Sequence, residues 1–213
     1  MGHLQMLASR AGRGLVSAGI TPEVGTDLGW AYFNIGSAGL GRVIVDRLAA
    51  DGMAADLAAL KLPSWEVAEV SAMSLAFEDS MTALDLCADA VFLASGAQRR
   101  AADRFYDFGT LKKSVQTLAT TASVAAWVNA ILGDRDLSLL EGCRHALTHR
   151  YFRRTFVVAL QSGREMTRGL SEITDYSGKS LGSIGVLIPR VVGFAEMQFE
   201  SLCLAFLADF PAA

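Results

Sequence analysis

Between Trp65 and Leu93 the polar residues Ser71, Ser74, Glu78, Thr82, Asp85 and Asp89 recur at steps of three or four, and Ala68, Ala72, Leu75, Ala83, Leu86 and Ala90 fall between them. A period near 3.6 residues places the two sets on opposite faces, which predicts one amphipathic helix over 65–93, capped by Ser64 and stopped at Ser95-Gly96. Its acidic stripe is expected to be a solvated face; the alternatives are that it lines a cleft or holds a cation. Leu111, Val115, Leu118, Ala122, Ala125, Asn129 and Leu132 alternate steps of four and three, as bundle helices do, and predict a second long helix from Thr110 to Leu132 that would bury Asn129.

Turn and breaker residues divide the rest. Residues 1–20 are weakly helical and interrupted by Gly12, Gly14 and Gly19, so this end is expected to fray. Thr21-Pro22-Glu23 is a start signal for a helix reaching about Ala50. Inside it, Gly36 to Gly41 is not a nucleotide loop, because Ile44 stands where G-x-G-x-x-G needs its last glycine and no strand precedes it; close helix packing is the expected role. A short helix around 53–60 follows. Gly133-Asp134 ends the helix before the next one, which Asp136 or Ser138 would cap. The β-branched run Thr155 to Leu160, the turn Gln161-Ser162-Gly163 and Arg164 to Arg168 predict a small hairpin. Asp175 to Ser180 resembles the tail of a phosphate loop, but Ile173 occupies a required glycine position. The last helix, about 181–208, contains Pro189, which should kink or divide it. The expected fold class is all-α, an antiparallel helical bundle with at most one short β-hairpin after the helix that carries Arg144 and His149. It is read as one domain over 1–213, with glycine-rich helices in 1–60 and the bundle core in 64–213.

Composition narrows the function classes. Apolar residues make up 52% of the 213 and charged residues 19%, against about 45–50% and about 25% in ordinary soluble domains. Burial of the excess in a homodimer is the simplest expectation. The net charge of −3 argues against a generally basic nucleic-acid coat and leaves only a local basic patch for phosphate. Cys87, Cys143 and Cys203 are far apart with no C-x-x-C spacing, which predicts reduced core thiols rather than a disulfide framework or zinc knuckle. The apolar runs 118–132 and 181–192 are interrupted by Thr, Asn129, Pro189 and Arg190, so no membrane span is expected, and the N-terminus lacks the pattern of a secretory signal. The expected location is cytoplasmic.

One stretch stands apart. Glu141 to Arg154 holds two of the three histidines and four of the arginines that follow Glu141 closely, and the window from Gly142 to Arg164 has no acidic residue. Within it, Arg144, four residues, His149, one residue and Tyr151 form R-x4-H-x-Y. This pattern resembles the signature of the HEPN superfamily, small helical domains that include toxins paired with nucleotidyltransferase antitoxins and several RNA-cutting proteins. The match covers about eight residues, with His145 where members usually carry another polar residue. The resemblance implies a metal-independent endoribonuclease or RNA-binding protein, with no cofactor, whose two motif helices meet across a dimer. It assigns Arg144, His149 and Tyr151 to the chemistry and His145, Arg150, Arg153 and Arg154 to RNA contact; a nucleotidyltransferase antitoxin becomes a possible partner, with Tyr151 as acceptor of a nucleotidyl group.

The residue types fit that chemistry. An imidazole can take a proton from a ribose 2′-hydroxyl or return one to the leaving oxygen, and a guanidinium can hold the phosphate through its planar fork of donors. On a straight helix Arg144 and His149 lie about 140° apart, so a long side chain, a helix end or a second subunit must bring them together. Two alternatives stay open. Arg144 could pair with a carboxylate such as Glu78 or Asp85 in a purely structural role. Alternatively, Glu141, His145 and His149, at i, i+4 and i+8, could contribute metal ligands, most workably the two histidines plus a carboxylate of the acidic stripe.

Overall fold

The computed structural model describes residues 2–51, 65–98, 106–149, 152–153 and 170–212. Among these the chain is mainly helical, with a small antiparallel sheet, as the periodicity predicts. The helices are α1 (His3–Ser17), α2 (Glu23–Asp51), α3 (Trp65–Met73), α4 (Asp79–Ala94), α5 (Phe108–Ser114), α6 (Ala122–Leu132), α7 (Arg135–Thr148) and α8 (Ile184–Asp209); a π-helical turn, Ser74–Glu78, joins α3 to α4. The strands are β1 (Phe152–Arg153), β2 (Glu172–Thr174) and β3 (Ser180–Ser183). The chain divides into two compact units, 1–36 with 81–137 and 194–213, and 37–80 with 138–193.

In the first unit α4 is the central element. Residues 86–93 are buried all round, which for a helix means neighbours on every side. Its Asp85 and Asp89 are not a solvated stripe. Asp89 is fully buried and accepts the Tyr106 backbone N–H at 2.9 Å, and Asp85 accepts that of Phe108 at 3.0 Å. Two carboxylates thus hold the segment that enters α5, whose N-cap Asp107 accepts the Thr110 N–H at 2.7 Å. The Thr110 hydroxyl bond to Asp107 keeps that carboxyl below its usual range, the opposing effect of partial burial being smaller.

The helix expected over 110–132 is divided. Residues 115–121 are turn and irregular chain, and α6 restarts at Ala122 after the N-cap Thr121. The buried face of α6 is therefore Val124, Trp127, Val128 and Ile131, and Asn129 is exposed rather than buried. Asp209, at the end of α8, accepts from the hydroxyls of Thr121 and of Ser123, the latter at 2.8 Å. Burial raises the pKa of that carboxyl, but these hydroxyls and the amides at the start of α6 outweigh it and the net direction is down. The Trp127 indole donates to the Gln198 carbonyl at 3.0 Å.

At the N-terminus α1 does not fray into loop; it runs unbroken through Gly12 and Gly14. A Cβ at position 14 would stand 2.1 Å from the Phe210 carbonyl oxygen, so the glycine that weakens the helix locally is what admits the end of α8. Pro189 lies within α8 without dividing it, at its sixth residue.

In the second unit the same logic places Gly41. A Cβ there would be 2.5 Å from the Ala72 carbonyl oxygen and 3.0 Å from the Ala76 nitrogen, so α2 approaches α3 and the π-turn as closely as backbone allows. Close packing, not nucleotide binding, is the role of this glycine. Glu69 of α3 is buried and accepts from both the backbone N–H and the hydroxyl of Ser171, each at 2.8 Å. Ser171 leads into the three-stranded sheet, ordered β1-β2-β3, with Phe152 opposite Ile173, Arg153 opposite Glu172 and Ile173 opposite Gly182. The β2–β3 hairpin turns over Asp175 to Lys179, where the Asp175 carboxylate accepts from the Ser177 N–H at 2.9 Å and the Lys179 N–H at 3.0 Å. The stretch with a likeness to a phosphate loop is this turn. The hairpin expected over 155–168 and the short helix over 53–60 lie outside the described residues.

Cys87, Cys143 and Cys203 are buried free thiols, as expected. Among the described residues one helix, α8, is long and apolar enough to cross a membrane, and 56% of its most apolar window is buried, as in the core helix of a folded domain.

Candidate functional site

α7 starts at Arg135, ahead of both expected caps, Asp136 and Ser138: Asp134 accepts the Asp136 N–H at 2.8 Å and takes the capping role. Leu137, Leu140, Cys143 and Ala146 fix its rotation by facing the core. A Cβ at Gly142 would touch the Leu181 side chain at 3.5 Å, so β3 lies against the helix two residues before Arg144. With that face committed, Arg144, His145, Thr148 and His149 are left exposed at the C-terminal end.

The helix ends at Thr148, with His149 in the turn that follows. Its last turn is still regular: the His149 N–H donates to the His145 carbonyl at 3.0 Å, and the Thr148 hydroxyl to the Arg144 carbonyl at 3.0 Å. His145 and His149 therefore share a face, with ring centroids 4.3 Å apart and planes tilted by 54°. Arg144 stands about 100° from His145 around the axis, so the three side chains occupy one solvent-facing arc of about 140°.

Local electrostatics can be read from the same end. A helix C-terminus carries a partial negative charge, which favours cations beside it and opposes an anion. A phosphate approaching this end depends on the basic side chains to outweigh the helix. Cys143, on the buried face next to Arg144, has its thiol pushed up to about 12 by burial and is no nucleophile.

The remaining residues expected at the site are only partly visible. Arg153 is in β1, with Glu172 as its backbone partner across the ladder. Arg150, Tyr151 and Arg154 lie outside the described residues. Among the described residues no group of three or more His, Cys, Asp or Glu side chains is placed to hold a metal ion.

A cavity of about 360 Å³ in the first unit is lined by Trp30, Asn34, Thr82, Asp85, Leu86 and Asp107. Its two carboxylates are the ones that hold the entry to α5 and cap it. Glu69 is another charged group whose structural role the residue pattern did not reveal. The available signal was its position next to Ala68 and outside the polar stripe, since a carboxylate on an apolar face must find donors. Compared with known proteins, the chain matches no family model, no curated protein and no solved structure.

Proposed function

We propose that this protein is a HEPN-like, cytoplasmic homodimer that binds RNA and cleaves it without a metal, using Arg144 and His149 at the end of α7. The observation that carries the reading is the shared exposure of Arg144, His145 and His149 on one arc while the opposite face of α7 is buried. His149 accepts the proton of a ribose 2′-hydroxyl, and the 2′-oxygen attacks the adjacent phosphorus. The 5′-oxygen leaves with a proton, for which the partner copy's histidine is the natural donor. Arg144 holds the phosphate and balances the charge that develops on it. The products are a 2′,3′-cyclic phosphate and a 5′-hydroxyl. Arg150, Arg153 and Arg154 would extend the basic surface along the RNA backbone, and Tyr151 would position the phosphate or accept a nucleotidyl group from an antitoxin enzyme.

The test is cleavage of single-stranded and structured RNAs by the purified protein, with chelator present and absent. Cyclic phosphate ends, no dependence on added metal, and loss of cutting in Arg144→Ala and His149→Ala are the expected results. Neither binding nor cutting across such a panel would overturn the reading.

A second reading, a non-catalytic bundle that binds a partner or its own copy, is favoured by apolar side chains exposed along α2: Trp30 at 56%, Phe33 at 63%, Leu40 at 57% and Val43 at 53%. Light scattering separates the states: a dimer gives twice the 22.7 kDa chain mass, and a monomer removes the two-copy cleft.

A further inference from the structure

We infer that His145 and His149 together form a chelating site for a borderline divalent transition metal of the zinc class, and that occupation of this site switches off the chemistry proposed for His149. The inhibitory part rests on the ribonuclease reading; the metal site does not. Two imidazoles one helical turn apart share a face, and here the regular last turn of α7, closed by the His149 N–H to the His145 carbonyl at 3.0 Å, fixes both backbones. Metal–nitrogen bonds of about 2.0–2.1 Å at near-tetrahedral to right angles place two ring centroids about 4.5–5 Å apart. The observed 4.3 Å is within a few tenths of an ångström of that range, so small rotations of the two side chains suffice.

Both residues are exposed, so an ion reaches them from solvent and keeps water in its remaining positions. The nearby helix C-terminus, with its partial negative charge, favours a cation where it opposes a phosphate. Two nitrogen ligands with open positions make a reversible site rather than a structural one, since closed structural zinc sites use four protein ligands. Imidazole nitrogens also select zinc, nickel or copper over magnesium and calcium, which prefer oxygen. An ion held this way occupies the ring nitrogen that would otherwise take the 2′-hydroxyl proton.

The experiment is calorimetric titration of chelator-stripped protein with zinc chloride and, separately, magnesium chloride, in a His3→Ala background that removes the third histidine. The expected result is one zinc per chain, no magnesium binding, and an affinity at least about tenfold weaker in both His145→Ala and His149→Ala. Because both residues are exposed, circular dichroism should show these variants folded. Equal zinc binding by the double variant His145→Ala/His149→Ala, or no zinc binding by the parent, overturns the site. If zinc binds as expected and the protein also cuts RNA, zinc should suppress cutting and chelator restore it; cutting unaffected by bound zinc overturns the switch. If zinc binds and no RNA is cut under any condition, the metal site stands and the ribonuclease reading alone falls.

Discussion

Two sets of charged side chains in this protein look alike on paper and differ in the fold. Asp85 and Asp89 of α4, with Asp107 beyond them, each accept a backbone N–H and so determine where α5 begins. Arg144, His145 and His149 stand on the solvent side of α7 with its core face already settled by Leu140, Cys143 and Ala146. A charged group bonded to backbone amides is held for the sake of the fold. A group whose removal would leave the packing unchanged is a better candidate for chemistry. The proposed chemistry falls on the exposed set at the end of α7, whereas Asp85, although it borders a cavity, is committed to a backbone amide.

The largest expected effect tests the exposed set. Arg144→Ala and His149→Ala should each lower RNA cleavage by about 100-fold or more, since positioned proton-transfer groups contribute roughly 10²–10⁴. Their stability should stay within about 0.5 kcal/mol of the parent, as for most surface substitutions. A loss of folding equal to the loss of activity would break the contrast.

Glu69→Ala should show the opposite profile. It leaves the buried N–H and hydroxyl of Ser171 without their acceptor, at about 1.5–3 kcal/mol for each bond to a charged group, reduced where water can enter. A fall of about 3 kcal/mol in denaturant unfolding is expected. Asp89→Ala should cost about 1–3 kcal/mol for the Tyr106 amide in the same way, whereas Asp85→Asn keeps an acceptor for Phe108 and should cost less than either.

Glycine substitutions sharpen the distinction between packed and open positions. Gly41→Ala forces a methyl against the Ala72 carbonyl and should cost about 1–3 kcal/mol. Gly36→Ala, in the same helix but with open space around the added carbon, should gain up to about 1 kcal/mol from helix propensity. Equal effects at the two positions, measured by thermal unfolding, would show that α2 does not pack at Gly41 as described.

The smallest effect concerns the thiols. Burial pushes Cys143 up to about 12, and burial with the Glu200 charge does the same for Cys203. An unfolded thiol ionises near pH 8.5, so the neutral buried thiols favour the fold fully below that pH, and their contribution is lost as pH rises toward 12. Native protein at pH 8 should react with a thiol reagent only as fast as it unfolds; rapid labelling would contradict the burial.

The mainly helical fold, the start of α2 at Thr21-Pro22-Glu23 and the free buried thiols were legible because each rests on local chemistry: a 3.6-residue period, a cap, and cysteines without C-x-x-C spacing. The exposure of Arg144, His145 and His149 follows from the same local pattern, since Leu140, Cys143 and Ala146 commit the other face of α7. The division of the 110–132 helix was not legible, because the start of α6 is met by the carboxylate of Asp209, which is distant in sequence and accepts from the Thr121 and Ser123 hydroxyls. The role of Gly14 depends likewise on Phe210, and that of Glu69 on Ser171. A residue's type and its neighbours along the chain determined which helices could form and where basic side chains concentrate. Only the tertiary structure decided which charged groups would be consumed by buried amides, because a carboxylate's partner is whatever donor the fold brings within about 3 Å of it.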